Sequence, residues 1–156
     1  MFVQIFASLL LSLFSGSLAS TVLYVPLDER FATRGMFLNL ARLLPKSDYD
    51  IVTPGEALLP QRKRFADPDK LLDWLEVQWK AVERNAEPSD TAGTLSIAGR
   101  TAAVVSAEMV LYGGLIASRS SNDTAAVVQQ RLERLATMGK NGLDIYLSTV
   151  VMRIPS

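Results

Sequence analysis

Four short runs of β-branched and small apolar residues recur along this chain, each separated from the next by a stretch with helical spacing. They are TVLYVPL at 21–27, YDIVTP at 49–54, TAAVVSAEM at 101–109 and LDIYLSTVVM at 143–152. Near-continuous apolar runs mark strands buried on both faces, and strands of that kind belong to parallel sheets covered by helices. The chain therefore reads as an α/β fold, a β-α-β-α-β-α-β parallel sheet with flanking helices. Right-handed crossovers make all four strands point one way. The pattern fits an open sheet and the beginning of a barrel equally.

The helical stretches carry their own punctuation. The first has Thr33 as a candidate cap, with Met36, Phe37, Leu40, Leu43 and Leu44 on one side and Pro45 as its stop. Asp67-Pro68 opens the second, whose apolar face is Leu71, Leu72, Leu75, Trp79 and Val82. The third covers 122–138 with a stripe of Val127, Val128, Leu132, Leu135 and Met138, ended by Gly139 and Gly142. Trp74 and Trp79 read as helix–sheet packing rather than sugar platforms. Residues 87–100 are polar and turn-rich, with room for a short hairpin strand. Arg62, Lys63 and Arg64 read as a solvated loop.

Residues 1–19 are separate from this pattern. The run from Phe2 to Phe14 is apolar, and Ser17-Leu18-Ala19 is a small-x-small cleavage signature, so 1–19 reads as a signal peptide and 20–156 as the mature α/β domain. The expected location is secreted or extracellular. The apolar core is shorter than the ~20 residues of a comfortable span, so no stable membrane span is expected after cleavage. The chain stops a few residues after the fourth strand, where a further loop and helix are expected. The domain therefore reads as incomplete, the N-terminal part of a larger one.

Composition narrows the chemistry. The chain has no cysteine and no histidine. That excludes disulfides, thiol nucleophiles, Ser-His-Asp constellations and Cys- or His-ligated metals within it. Acid–base work falls to Asp, Glu, Tyr, Lys or Arg. Sixteen basic residues balance sixteen acidic ones, which gives no argument for a nucleic-acid partner. Neither GxxxxGK[ST] nor GxGxxG occurs, and no metal motif of recognised spacing is present, so no cofactor and no metal site is expected.

In parallel sheets, ligands bind outside the carboxyl ends of the strands. The candidate site residues fall there. Asp28 and Arg30 follow the first run; Glu108, Tyr112, Gly113, Gly114 and Arg119 follow the third; Arg153 follows the fourth. A strand order that joins the first and third ends would bring Asp28 and Glu108 to the spacing of a catalytic carboxylate pair. The arginines, Tyr112 and the Gly-Gly turn would then hold a small-molecule or carbohydrate ligand. A structural reading stands beside this one. Glu108 can tie strand ends by pairing with Arg30, Arg119 or Arg153, Asp28 can cap the first helix, and Gly113-Gly114 can be only a turn. Asn122-Asp123-Thr124 is an N-glycosylation sequon at Asn122 that also suits a helix cap.

The segments VPLDER at 25–30, AEMVLYGGLIASR at 107–119 and STVVMR at 148–153 resemble the N-terminal part of the domain of unknown function 4127 family, mostly bacterial proteins of undetermined activity. Phe31-Ala32-Thr33 stands where relatives usually carry proline and then asparagine, Glu108 stands in place of the more usual aspartate, and 87–100 reads as an insertion. The resemblance implies a longer protein and a shared site of Asp28, Arg30, Glu108, Tyr112, Arg119 and Arg153, without implying a reaction. The expected function is that of an exported hydrolase, acting on glycosides, with Asp28 and Glu108 catalytic. The alternatives are a non-catalytic sugar- or anion-binding module and a truncated, non-functional fragment. Oligomeric state is not readable from the sequence.

Overall fold

The computed structural model describes residues 21–43, 49–61, 64–85 and 101–150. The four runs form one sheet of parallel strands: β1 (Thr21–Val25), β2 (Asp50–Val52), β3 (Thr101–Ser106) and β4 (Asp144–Ser148). Their order is β2-β1-β3-β4. β1 and β3 lie side by side with Val25 opposite Val105, and β3 and β4 end together with Ser106 opposite Ser148. The α/β fold expected from the alternation is the fold observed.

The two faces of the sheet are unequal. Leu23, Val25, Ala103 and Val105 face a large core shared with the helix α2 (Pro68–Asn85) through Leu71, Leu72, Leu75 and Trp79. Leu135 and Met138 of a later helix join the same core. The other face carries a smaller cluster of Val22, Tyr24, Val104 and Phe37. Phe37 belongs to α1 (Met36–Ala41) and stacks on Tyr24 with ring centroids 3.9 Å apart. Alternation along β1 thus sends Leu23 and Val25 one way and Val22 and Tyr24 the other.

Capping fixes α2 as its sequence implies. Asp67 Oδ1 accepts hydrogen bonds from the Asp69 and Lys70 amides, and Pro68 fills the first position, where no amide donor is needed. Trp79 is buried and Trp74 packs against the core, so both serve helix–sheet contact.

Three elements differ from the sequence reading. The third run is strand only to Ser106; Ala107–Tyr112 turns at once into a helix, α3, with Ala107 to Leu111 all buried. Ala, Glu, Met and Leu are strong helix formers, whereas TAAVVS is richer in β-branched residues. Next, the stretch after β1 opens as a π-helical turn, Phe31–Gly35, before α1 begins. Thr33 does not cap α1, because its hydroxyl donates back to Asp28. The third difference lies in the last helix. α4 (Ala117–Ser120) precedes α5 (Ala125–Lys140), and α5 is capped by Thr124, whose Oγ1 accepts from the Val127 amide at 3.4 Å. On α5 Leu132 is exposed, while Arg131 beside it is buried.

No helix among the described residues is long and apolar enough to cross a membrane. The signal-peptide reading of 1–19, the hairpin strand expected within 87–100, the proline stop at Pro45 and Arg153 lie outside the described residues.

Candidate functional site at the C-terminal rim of the sheet

Asp28 and Glu108 occupy equivalent places. Each stands three residues beyond the paired Val25 and Val105, so the strand order required to bring the first and third ends together is the one observed. Their immediate partners differ.

Asp28 is held by its own loop. Its Oδ1 accepts from the Arg30 amide at 3.0 Å and also from the Thr33 hydroxyl. Its Oδ2 receives Arg30 Nε at 2.7 Å and pairs with Arg30 Nη2 at 2.5 Å. Burial acts to raise the Asp28 pKa, but the hydrogen bonds from Arg30 and Thr33 outweigh it and hold the carboxyl below its ordinary value. Arg30 projects into solvent, its side chain 67% exposed, while that of Asp28 is 15% exposed. Asp28 therefore organises the loop after β1 and presents a paired arginine at its surface.

Glu108 is buried, at 7% exposure, on the first turn of α3. Ser106 Oγ donates to its Oε2 at 3.0 Å; Thr149 Oγ1 and the Val150 amide donate to its Oε1 at 2.8 and 2.7 Å. Burial would raise its pKa; the Val150 amide, the Thr149 hydroxyl and the Ser106 hydroxyl prevail and lower it. Glu108 ties the end of β3 to the end of β4. The strand-tying role of the structural reading is present, and its partners among the described residues are the Ser106 and Thr149 hydroxyls and the Val150 amide rather than Arg30 or Arg119. Thr149 and Val150 were not singled out in the sequence. The signal was the polar Ser148-Thr149 pair immediately after an apolar strand.

The Tyr-Gly-Gly turn closes α3. Tyr112 is half-buried and packs against the large core. Gly113 takes φ +87° and its amide donates to Met109 O. A Cβ at Gly113 would lie 2.2 Å from Ala66 O, and the Ala66 amide donates to Gly113 O at 3.0 Å. Close approach to the glycine backbone, expected of a ligand, is made here by the chain's own 64–66 segment. A Cβ at Gly114, where φ is +131°, would lie 3.7 Å from Pro60 Cγ. Arg119 lies on α4, exposed and without a side-chain partner among the described residues. Asn122 is exposed in the turn ahead of α5, where Thr124 supplies the cap.

A second charged constellation lies beside α3. Arg131 is buried, and its Nη1 donates to Leu111 O at 2.7 Å and to Asp123 Oδ2 at 2.8 Å, while Nη2 reaches Asp69 Oδ2 at 3.1 Å. It satisfies a carbonyl at the C-terminal end of α3 and joins α5 to the start of α2. Arg131 was invisible to sequence reading because Asp69 is 62 residues away.

Among the described residues no group of three or more Asp, Glu, His or Cys is placed to hold a metal ion. No curated protein and no solved structure matches the chain. The family model described as a protein of unknown function (DUF4127) matches over residues 22–86 and 92–156. The LDER loop after β1 and the strand–helix–Gly-Gly unit of β3 and α3 both fall within that match, and the chain belongs to the DUF4127 family.

Proposed function

We propose that this chain is the ligand-binding α/β part of an exported protein, and that its rim at the C-terminal strand ends holds a small anionic or polyhydroxylated molecule. The observation that carries this reading is the Asp28–Arg30 pair. It sets carboxylate acceptors beside guanidinium donors at the surface of the loop after an inner strand, where parallel sheets place ligands. Adjacent acceptor and donor groups suit a diol or an anion with neighbouring hydroxyls. Arg119, without a side-chain partner among the described residues, adds a charge on the element that follows the Gly-Gly turn. Export rests on the apolar leader and its small-x-small signature at 17–19.

A hydrolytic reading, with Asp28 and Glu108 as the carboxylate pair, draws on their equal offset beyond Val25 and Val105. Glycoside cleavage needs one carboxyl group protonated near neutral pH. Both groups here are held below their ordinary values, so binding takes precedence over turnover.

The test is a glycan and small-anion array probed with the full chain and with Asp28→Asn, followed by product analysis of every ligand retained. Saturable binding that Asp28→Asn weakens, with the ligand recovered intact, supports the binding reading. Product formation that Asp28→Asn abolishes would favour hydrolysis. Binding indifferent to Asp28, or none, would remove the rim from consideration.

A further inference from the structure

We infer that Arg34, more than Arg30, is the arginine that engages an oxyanion on the ligand at this rim, a carboxylate or a phosphate group; the inference rests on the binding reading above. Arg30 is already matched by Asp28 through two nitrogens. Arg34 sits four residues on, in the π-helical turn Phe31–Gly35 that follows the same strand end. It is half-buried, and no carboxylate lies within ion-pair distance of it among the described residues.

The contrast with the other withdrawn arginines is direct. Arg131 is buried and meets Asp69 and Asp123; Arg134 is partly buried and meets Asp73 and Glu76. Arg34 Nε is sealed from solvent and has no hydrogen-bond acceptor among the described residues. A guanidinium partly removed from water without a counter-charge is unfavourable, and unmet buried donors are rare in native proteins. An acceptor on a ligand would meet that donor.

The turn that carries it is fastened to β1. Burial raises the pKa of the Tyr24 hydroxyl, Asp28 adds to the rise and Arg34 opposes it. That hydroxyl donates to Thr33 O at 2.9 Å, beside Arg34 in the chain. Tyr24, Thr33 and Asp28 thus hold the turn that carries Arg34, while its Nε stays without an acceptor among the described residues. An oxyanion is the ligand group that matches a planar, permanently charged donor set.

The experiment is calorimetric titration of the full chain with inorganic phosphate and with acetate, at constant ionic strength. Arg34→Gln, Arg34→Lys and Arg30→Gln are compared with wild type. Expected is saturable binding that Arg34→Gln weakens about tenfold or more, that Arg34→Lys retains in part, and that Arg30→Gln weakens by a smaller factor than Arg34→Gln. Loss in Arg30→Gln with none in Arg34→Gln would overturn the inference and leave the rim reading standing. Absence of binding to either oxyanion in wild type would also overturn it, while sugar binding sensitive to Asp28 would still be decided by the array. Thermal melting of Arg34→Met without ligand supplies a second check. An unchanged or raised Tm is expected on removing an unmet donor; a fall as large as that of Arg131→Met would make Arg34 a structural residue and contradict the assignment.

Discussion

Thr149 Oγ1 donates a hydrogen bond to Glu108 Oε1 at 2.8 Å, across 41 residues of sequence and between the ends of two neighbouring strands. With the Val150 amide on the same oxygen, it makes one buried carboxylate the fastener of the β3–β4 rim. Glu108→Ala would leave these donors without an acceptor and is expected to cost about 2–4 kcal/mol. Urea unfolding of the variant beside wild type measures this directly. Glu108→Asp, the shorter carboxylate, should recover part of the loss.

The same group sets an acid limit. The folded-state pKa of Glu108 lies below its ordinary value of 4.5, so folding favours the ionised form. Its contribution is complete above the ordinary value and disappears as pH falls through the lower folded one. Stability of wild type should therefore decline below about pH 4.5, and Glu108→Gln should flatten that decline. Urea midpoints measured from about pH 6 down to about pH 3 provide the comparison. Asp28 works in the same direction, but its pair with exposed Arg30 is partly screened by solvent and contributes less.

Arg131 is the other buried charge on which packing depends. Arg131→Ala would take a shared donor from Asp69, Asp123 and the carbonyl of Leu111; both aspartates are open to solvent, so the expected loss is about 1–3 kcal/mol. Arg131→Met, which keeps an apolar stem among α2, α3 and α5, should lose less. Chemical denaturation of both variants separates charge from volume.

Gly113→Ala meets two penalties. The residue has φ +87°, and its Cβ would fall 2.2 Å from Ala66 O. Backbone strain of about 1–3 kcal/mol is compounded by a clash with main chain, which cannot rotate away. The expected outcome is loss of protection of the Ala66 amide in hydrogen exchange together with a clear drop in Tm.

The strand alternation, the cap at Asp67-Pro68 and the core face of α2 were legible because they depend on neighbours within a few residues. The rim was half legible. Asp28 could be identified with its loop, since Arg30 and Thr33 lie within five positions. Glu108 could be marked as a rim carboxylate but not assigned partners, because Thr149 and Val150 arrive from another strand. Arg131 illustrates the opposite failure. Helical periodicity favoured Leu132 for the interior, yet the buried position goes to Arg131 because two aspartates and a free carbonyl converge there. Pattern reads apolar burial well and paired charge burial poorly, since the pairing is a tertiary fact.

The measurement that bears most directly on the rim as a ligand site is ligand-observed NMR of the full chain against a set of small anionic and polyhydroxylated molecules, repeated on Asp28→Asn. At least one saturable ligand is expected, with an affinity that falls about tenfold or more in Asp28→Asn while the variant keeps a cooperative melt. A ligand bound equally by both proteins, or no ligand for wild type, would contradict it.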